Sequence, residues 1–113
     1  MIQIYHHARC GTSRKGLEIV KNSGEEFEII EYMKSPISLK ELKELVRKLG
    51  IKPIELVRQK EVVWKEKYLG RTLTDEQIIV AMQQHPELLQ RPIVVKNGKA
   101  VIGRPPELIK DLF

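Results

Sequence analysis

Cys10 is the residue in this chain best suited to nucleophilic chemistry. It is the only cysteine among 113 residues, so the sequence encodes neither an internal disulfide nor a zinc site built from cysteines. A lone cysteine is most often a small buried apolar residue. Here it follows a short β-favouring segment, Ile2–Tyr5, and comes just before Gly11 and a predicted helix. Because the N-terminus of a helix stabilises an anion, this position predicts a reactive thiolate.

The ionisation state of Cys10 decides whether it can attack. A thiol with the unperturbed pKa of ~8.5 is only about 3% ionised at pH 7, whereas a pKa about two units lower makes it mostly thiolate. Thr12, Ser13 and Arg14 add hydrogen-bond donors and positive charge to the same turn. We therefore expect the pKa of Cys10 to be lowered.

Two arginines are predicted to meet at the end of a β-hairpin. Asn97-Gly98 is a strong signal for a two-residue turn, which pairs Lys96 with Lys99. Carried outward, this register places Arg91 opposite Arg104. Like charges at opposed positions are destabilising, so the pairing indicates a bound anion. The alternative is that both side chains extend into solvent or pair with Glu107.

The histidines are weaker candidates. His6 and His7 are adjacent on a strand and point to opposite faces, so at most one can face Cys10. His85 precedes a proline at a helix end and is interpreted as structural. Three histidines without a clustered carboxylate predict no metal site.

The N-terminal third is predicted to be a parallel βαβ unit. Residues 2–5 and 27–32 favour strands, and residues 14–22 carry apolar residues at helical spacing. A helix of this length between two strands is typical of a parallel crossover.

The middle of the chain is predicted to be helical scaffold. Ser38 and Glu41 form a capping box before a helix that Gly50 ends, and Thr74 with Gln77 repeats the signal. A shorter helix is expected from Pro53 to Arg58, a polar stretch from there to Thr74, and one more turn after Pro86.

The last quarter is predicted to return to the sheet. Residues 93–95 and 100–102 form the hairpin strands, and a final helix follows Pro105-Pro106. Leu108, Ile109 and Leu112 should place its apolar face on the sheet.

Length and composition indicate one ordinary globular domain covering residues 1–113. The chain is 42% hydrophobic and 31% charged, with a formal net charge of +5.

No apolar run reaches the ~18 to 20 residues that span a bilayer, and the start lacks the pattern of a signal peptide, so we expect a cytoplasmic protein without membrane partners. Aromatic residues make up 5%, and Trp64 with Tyr68 is the only aromatic pair in a basic segment, which argues against nucleic-acid binding.

The segment from Ile4 to Arg14, Ile-Tyr-His-His-Ala-Arg-Cys-Gly-Thr-Ser-Arg, resembles the active-site loop of the glutaredoxin-coupled arsenate reductase (ArsC) family. Other segments follow in that family's order and spacing: Leu56-Val57-Arg58, Thr74-Asp75-Glu76-Gln77, residues 85–95 and Ile102-Gly103-Arg104-Pro105. The resemblance covers nearly the whole chain and is to the short members of the family.

The resemblance implies a fold and a set of roles. The fold is thioredoxin-like α/β, a four-stranded mixed sheet with flanking helices and an all-helical insertion at about residues 36–90, between the second and third strands. Cys10 is implied as the nucleophile that attacks arsenate, with glutathione as co-substrate, glutaredoxin as partner and no bound cofactor. The resemblance also implies Arg58, Arg91 and Arg104 as oxyanion binders and a cis Pro92 beside the loop. From the turn itself, Gly11, Thr12 and Ser13 are predicted to bind the substrate, with Arg14 in support. The family's loop usually has a histidine at the position of His6, which is interpreted as a neighbour that helps keep the thiolate ionised.

Two alternatives to the reductase remain open, which makes three possible functions in all. The chain also resembles, more weakly, the Spx regulators that bind RNA polymerase, which share the His-Pro and Arg-Pro-Ile segments. Those regulators typically carry a Cys-x-x-Cys switch, whereas the fourth position here is Ser13. The third possibility is a monothiol glutaredoxin-like protein that acts on protein disulfides.

Overall fold

Four short strands form one mixed sheet in the computed structural model, which describes residues 1–113. They are β1 (Ile2–Tyr5), β2 (Phe27–Ile30), β3 (Ile93–Lys96) and β4 (Lys99–Ile102), in the order β2-β1-β3-β4. β1 and β2 run parallel and are joined by α1 (Gly11–Asn22), while β1 with β3 and β3 with β4 are antiparallel. The predicted βαβ unit and mixed four-stranded sheet are confirmed.

The hairpin has the predicted register. Asn97 and Gly98 form its turn with positive φ angles of 52° and 77°, a conformation that Asn and Gly tolerate better than other residues. Lys96 pairs with Lys99, and Ile93 pairs with Ile102 at the other end of the ladder. The strands stop there, so Arg91 and Arg104 lie just beyond the ladder instead of pairing within it.

The chain divides into two compact units, residues 1–35 with 91–113 and residues 36–90. In the first unit, the core is formed by apolar side chains of the sheet, α1 and a C-terminal 3₁₀ helix, Pro106–Leu112: Ile2, Ile4, Val20, Val94 and Ile109.

The C-terminal helix differs from its prediction, which was a regular α-helix with three apolar residues on the sheet. In a 3₁₀ helix side chains repeat every third residue. Ile109 and Leu112 therefore pack on the core, while Leu108 stays 38% exposed.

Gly16 lets α1 approach the segment that begins β3. A Cβ atom at this position would lie 2.6 Å from Cγ of Pro92 and 2.9 Å from Cδ1 of Ile109. Real side chains do not approach this closely, so the helix packs here only because residue 16 has no side chain.

Gly16→Ala is expected to lower the free energy of unfolding by about 1–3 kcal/mol, as overpacking of a core does. Chemical denaturation of the variant measures it. Gly11→Ala is the matched control in the same helix, because a Cβ there would meet only Nη2 of Arg14 at 3.7 Å, an ordinary contact. Equal stability losses in both variants would contradict the packing argument.

The second unit is helical. It contains α2 (Leu39–Leu49), α3 (Val62–Lys67) and α4 (Asp75–Gln84), with 3₁₀ helices at Pro53–Leu56 and Pro86–Leu88. The predicted caps are present: Ser38 Oγ accepts from the N–H of Glu41 at 3.1 Å, and Thr74 with Gln77 forms a reciprocal capping box. None of these helices, nor α1, is long and apolar enough to cross a bilayer.

Two predictions for this unit are wrong. The helix from Pro53 to Arg58 is a single 3₁₀ turn that ends at Leu56, because Val57 forms an isolated antiparallel bridge with Leu89. The stretch interpreted as polar contains α3, whose Trp64 is 5% exposed. With its ring buried, Trp64 is not available to stack on a nucleic-acid base.

Candidate active site

Cys10 is the N-cap residue of α1. Its backbone is extended, with φ −92° and ψ 121°, and its carbonyl oxygen accepts from the N–H of Arg14 at 3.0 Å. The Cys10 N–H donates to the carbonyl of His7 at 3.0 Å, which closes the turn after β1. The thiol therefore lies at the first turn of α1, where backbone N–H groups have no partners within the helix.

The pKa of Cys10 is lowered to about 7 by its neighbours. Burial raises the pKa, but the N–H of Ser13, the hydrogen bond and charge of Arg91, and the N–H of Thr12 together lower it more. The thiolate of Cys10 is therefore favoured at neutral pH relative to that of an ordinary cysteine. Thr12 and Ser13 act on the thiol as the loop sequence predicts, whereas the positive charge that lowers its pKa comes from Arg91, in a distant part of the chain, rather than from Arg14.

Arg91 and Arg104 both lie beside the thiol. Nη1 of Arg104 is 3.9 Å from Sγ of Cys10 and donates to the carbonyl of Arg91 at 3.3 Å. Arg91 hydrogen-bonds the sulfur. Beyond the hairpin ladder, the N–H of Gly103 donates to the carbonyl of Pro92 at 2.8 Å, which keeps the two chain segments together. The segments carry the two arginines to one end of the sheet, next to the loop that follows β1.

Both arginines precede a cis proline. The Arg91-Pro92 bond is cis, as the resemblance implies, and the Arg104-Pro105 bond is also cis, which was not predicted. Nothing in the local sequence distinguishes a cis from a trans bond at Arg104-Pro105.

His6 contacts Ser13 in the buried part of the loop. His6 Nδ1 is 2.7 Å from Ser13 Oγ, and this oxygen accepts from the N–H of His7 at 3.0 Å. Burial lowers the pKa of His6, as do the charges of Arg14 and Lys21, against the raising effect of Glu31. The lowered pKa favours the neutral form of the imidazole, and the ring contacts Ser13 within the loop.

The other predicted site residues divide between the two units. Arg14 is in the Cys10 turn, where Nη1 donates to the carbonyl of Ala8 at 3.0 Å. Arg58 is in the helical unit. Its side-chain Nε is 3.3 Å from Oε1 of Glu61, and its backbone N–H donates to the carbonyl of Leu88 at 2.7 Å. Its role at the site stays a prediction. No cluster of three or more potential metal ligands is present.

The alkylation rate of Cys10 is expected to rise with pH about a midpoint near 7. The thiolate is the reactive form, so the rate follows its fraction and levels off above this pH. Iodoacetamide labelling reports Cys10 alone because the chain has no other cysteine. A midpoint at or above ~8.5 would contradict the activated thiolate.

Comparison with known proteins agrees with the sequence resemblance. The ArsC family model matches residues 5–112. The chain is 43% identical to the uncharacterized protein YfgD of Escherichia coli K12, over 98% of this chain and 95% of that protein. It is 39% identical to the arsenate reductase of Neisseria meningitidis, over 99% and 97% of the two chains. The structure of the arsenate reductase from Vibrio cholerae is also 39% identical, with a TM-score of 0.94 over 99% of this chain and 97% of that one. The predicted resemblance and thioredoxin-like fold are confirmed.

Proposed function

Since the chain belongs to the ArsC family, we propose that it is an arsenate reductase in which the Cys10 thiolate attacks arsenic. The observation that carries this proposal is the thiol itself. Its pKa is lowered to about 7, and two guanidinium groups lie beside it. A nucleophile adjacent to paired cations suits an anionic electrophile, and arsenate is the substrate named for several relatives.

Arsenate binding would use the charges around the thiol. Like phosphate, the oxyanion carries about two negative charges near neutral pH. Arg91 and Arg104 can each donate two hydrogen bonds to its oxygens, and the N–H groups of the first turn, Gly11, Thr12 and Ser13, offer further donors. The family resemblance adds Arg58 as a third cation.

The first chemical step would be a condensation. Cys10 sulfur forms a bond to arsenic, and one arsenate hydroxyl leaves as water with a proton. Arsenic stays pentavalent in this step. The arginines stabilise the oxygens that remain negatively charged on the adduct.

Electrons would come from external thiols. Glutathione condenses with the Cys10 adduct in the same way, forming a second sulfur–arsenic bond and releasing water. The thiolate of glutaredoxin then attacks the glutathione sulfur. A disulfide forms between the two, and the electron pair of the glutathione sulfur–arsenic bond stays on arsenic, which becomes trivalent but is still bound to Cys10. Water then attacks arsenic, the Cys10 sulfur leaves as a thiolate with the electron pair of the last sulfur–arsenic bond, and arsenite is released. The scheme uses no bound cofactor, and these thiols are kept reduced in the cytoplasm, where the proposal places the enzyme.

A coupled assay tests the proposal. Arsenate, glutathione and glutaredoxin are supplied with glutathione reductase, and NADPH consumption is followed. We expect arsenate-dependent turnover that needs both thiols. No turnover above the enzyme-free rate would rule the proposal out, and turnover that persists without glutaredoxin would exclude the assigned reductant.

Arg58→Ala is expected to slow reduction at low arsenate concentration about tenfold, because one charge-assisted contact to the oxyanion is lost. The melting temperature should stay near that of the wild type, since the ion pair with Glu61 is partly exposed and contributes little stability. Arg47→Ala is the control within the same unit, as it removes another arginine paired three residues away. Unchanged kinetics for Arg58→Ala would exclude Arg58 from the site.

A further inference from the structure

A cavity of about 490 Å³ lies beside the Cys10 loop and has no part in the scheme above. Its volume falls within the roughly 300–1,000 Å³ usual for small-molecule sites. Residues of the loop after β1 form one part of its lining, and residues that follow β2 form the other. The lining includes His6, Arg9, Glu31, Met33 and Lys34.

The cavity and the arginine pair flank the Cys10 loop on different sides. In the sheet order β2-β1-β3-β4, the loop that carries Cys10 follows the inner strand β1. Arg91 and Arg104 come from the β3–β4 side. The cavity is lined from the β2 side by Glu31 and Lys34. Cys10 follows directly after Arg9, a residue of the lining, so a ligand held in the cavity would extend from Arg9 towards the thiol while an oxyanion occupies the arginines.

The charges of the cavity suit a ligand that carries both signs. Arg9 and Lys34 are exposed cations, and Glu31 is the single carboxylate of the lining. Lys34 Nζ is 3.6 Å from Glu31 Oε1, with the side chains 76% and 41% exposed. An ion pair this exposed contributes little free energy to folding, so charged groups of a ligand can replace it. Met33 adds an apolar surface that is 40% exposed.

His6 offers a ring nitrogen to the same cavity. The residue is 6% exposed, and its contact with Ser13 uses Nδ1. Because His6 lines the cavity, Nε2 is the ring nitrogen that a polar group of a ligand placed there can hydrogen-bond.

We propose that this cavity binds the thiol co-substrate, a small peptide thiol of the glutathione class, with Arg9 and Lys34 taking its carboxylates and Glu31 its ammonium group. The inference rests on the proposed function, which needs an external thiol, and adds where this thiol binds. It predicts that reactivity towards charged peptide thiols depends on Lys34, whereas reactivity towards uncharged thiols does not.

The test uses oxidised glutathione as a probe without arsenate. The Cys10 thiolate attacks one sulfur of the probe, a mixed disulfide forms, and the other glutathione leaves as a thiolate with the electron pair of the broken bond. The rate constant is measured by mass spectrometry for wild type, Lys34→Glu and Lys99→Glu. Bis(2-hydroxyethyl) disulfide, which is uncharged, serves as the reference probe. Lys99 is the matched control because it is exposed at the hairpin turn, at the other end of the sheet from Cys10.

Lys34→Glu is expected to slow the reaction with oxidised glutathione about fivefold to tenfold, as loss and reversal of one exposed ion pair would. The rate with the uncharged disulfide should change less than about twofold, and Lys99→Glu should behave as wild type with both probes. Equal slowing by Lys34→Glu and Lys99→Glu would overturn the proposal, because net charge would explain it. An unchanged rate, or equal slowing with both probes, would overturn it as well.

The outcome can be separated from that of the proposed function. The disulfide reaction contains no arsenate, so the cavity can be tested even if the chain reduces none. In the coupled assay, Lys34→Glu should raise KM for glutathione about fivefold with little change in KM for arsenate. Normal turnover with an unchanged KM for glutathione would leave the reductase standing and exclude this cavity as its thiol site.

Discussion

Cys10→Ser is expected to abolish arsenate reduction, by at least roughly a thousandfold, while the protein still binds arsenate. A serine hydroxyl at this position stays protonated at neutral pH and cannot replace the thiolate as a nucleophile. The oxyanion donors, Arg91, Arg104 and the N–H groups of the first turn, are all retained. The coupled assay measures turnover, and thermal melting with and without arsenate measures binding.

The expected melting behaviour follows from the charges. In wild type, the Cys10 thiolate lies beside Arg91 and Arg104 and competes with a bound anion for them. Serine removes this negative charge, so the arsenate-induced rise in Tm should be at least as large as in wild type. At a hundredfold excess over Kd, ligand binding adds ~2.7 kcal/mol, which corresponds to roughly 10 °C for a chain of this size. A Cys10→Ser variant with residual reduction near the wild-type rate would exclude Cys10 as the nucleophile, and loss of the Tm shift would show that the oxyanion site needs the sulfur.

Most of the sheet could be predicted because its signals are local. The Asn97-Gly98 turn determines the register of the hairpin, and the Ser38 cap with Gly50 bounds α2. α3 could not be predicted because it has only six residues, and of its three apolar side chains only Trp64 is buried, while Val62 is 65% exposed. Its formation depends on packing within the helical unit, which periodicity over so short a segment does not reveal.

The site was predictable where one short segment determines it. The strand, glycine and helix around Cys10 predict a thiolate at a helix N-terminus, and the hairpin register predicts two arginines at one end of the sheet. The role of Ser13 was not predictable, because its hydroxyl joins His6 to the N–H of His7 only in the folded loop. Glu31 and Lys34 were missed since they follow another strand, and only the sheet order places them near the loop.

Arg91→Lys and Arg104→Lys are each expected to weaken arsenate binding about tenfold, although both keep the positive charge. The planar guanidinium can donate two parallel hydrogen bonds to two oxygens, whereas an ammonium group is a point charge without this geometry. Alanine at either position should weaken binding further, to about a hundredfold, because the charge is lost too. Kd is obtained from Tm against arsenate concentration, at low and high ionic strength. Arg47→Lys, an exposed arginine of α2, is the matched control.

Arg91→Ala is also expected to change the pH midpoint of Cys10 alkylation in the protein without arsenate. Arg91 lowers the pKa of Cys10 through its hydrogen bond and its charge, so removing it should raise the alkylation midpoint above about 7. Arg104 is 3.9 Å from the sulfur and its main hydrogen bond is to the Arg91 carbonyl, so its effect on the midpoint should be smaller than its effect on arsenate binding. The two arginines would then differ in role, one activating the thiol and binding the oxyanion, the other binding the oxyanion. If both alanine variants keep the wild-type Tm shift, alkylation midpoint and reduction kinetics, the paired-arginine site is wrong, and family membership describes the fold without the activity.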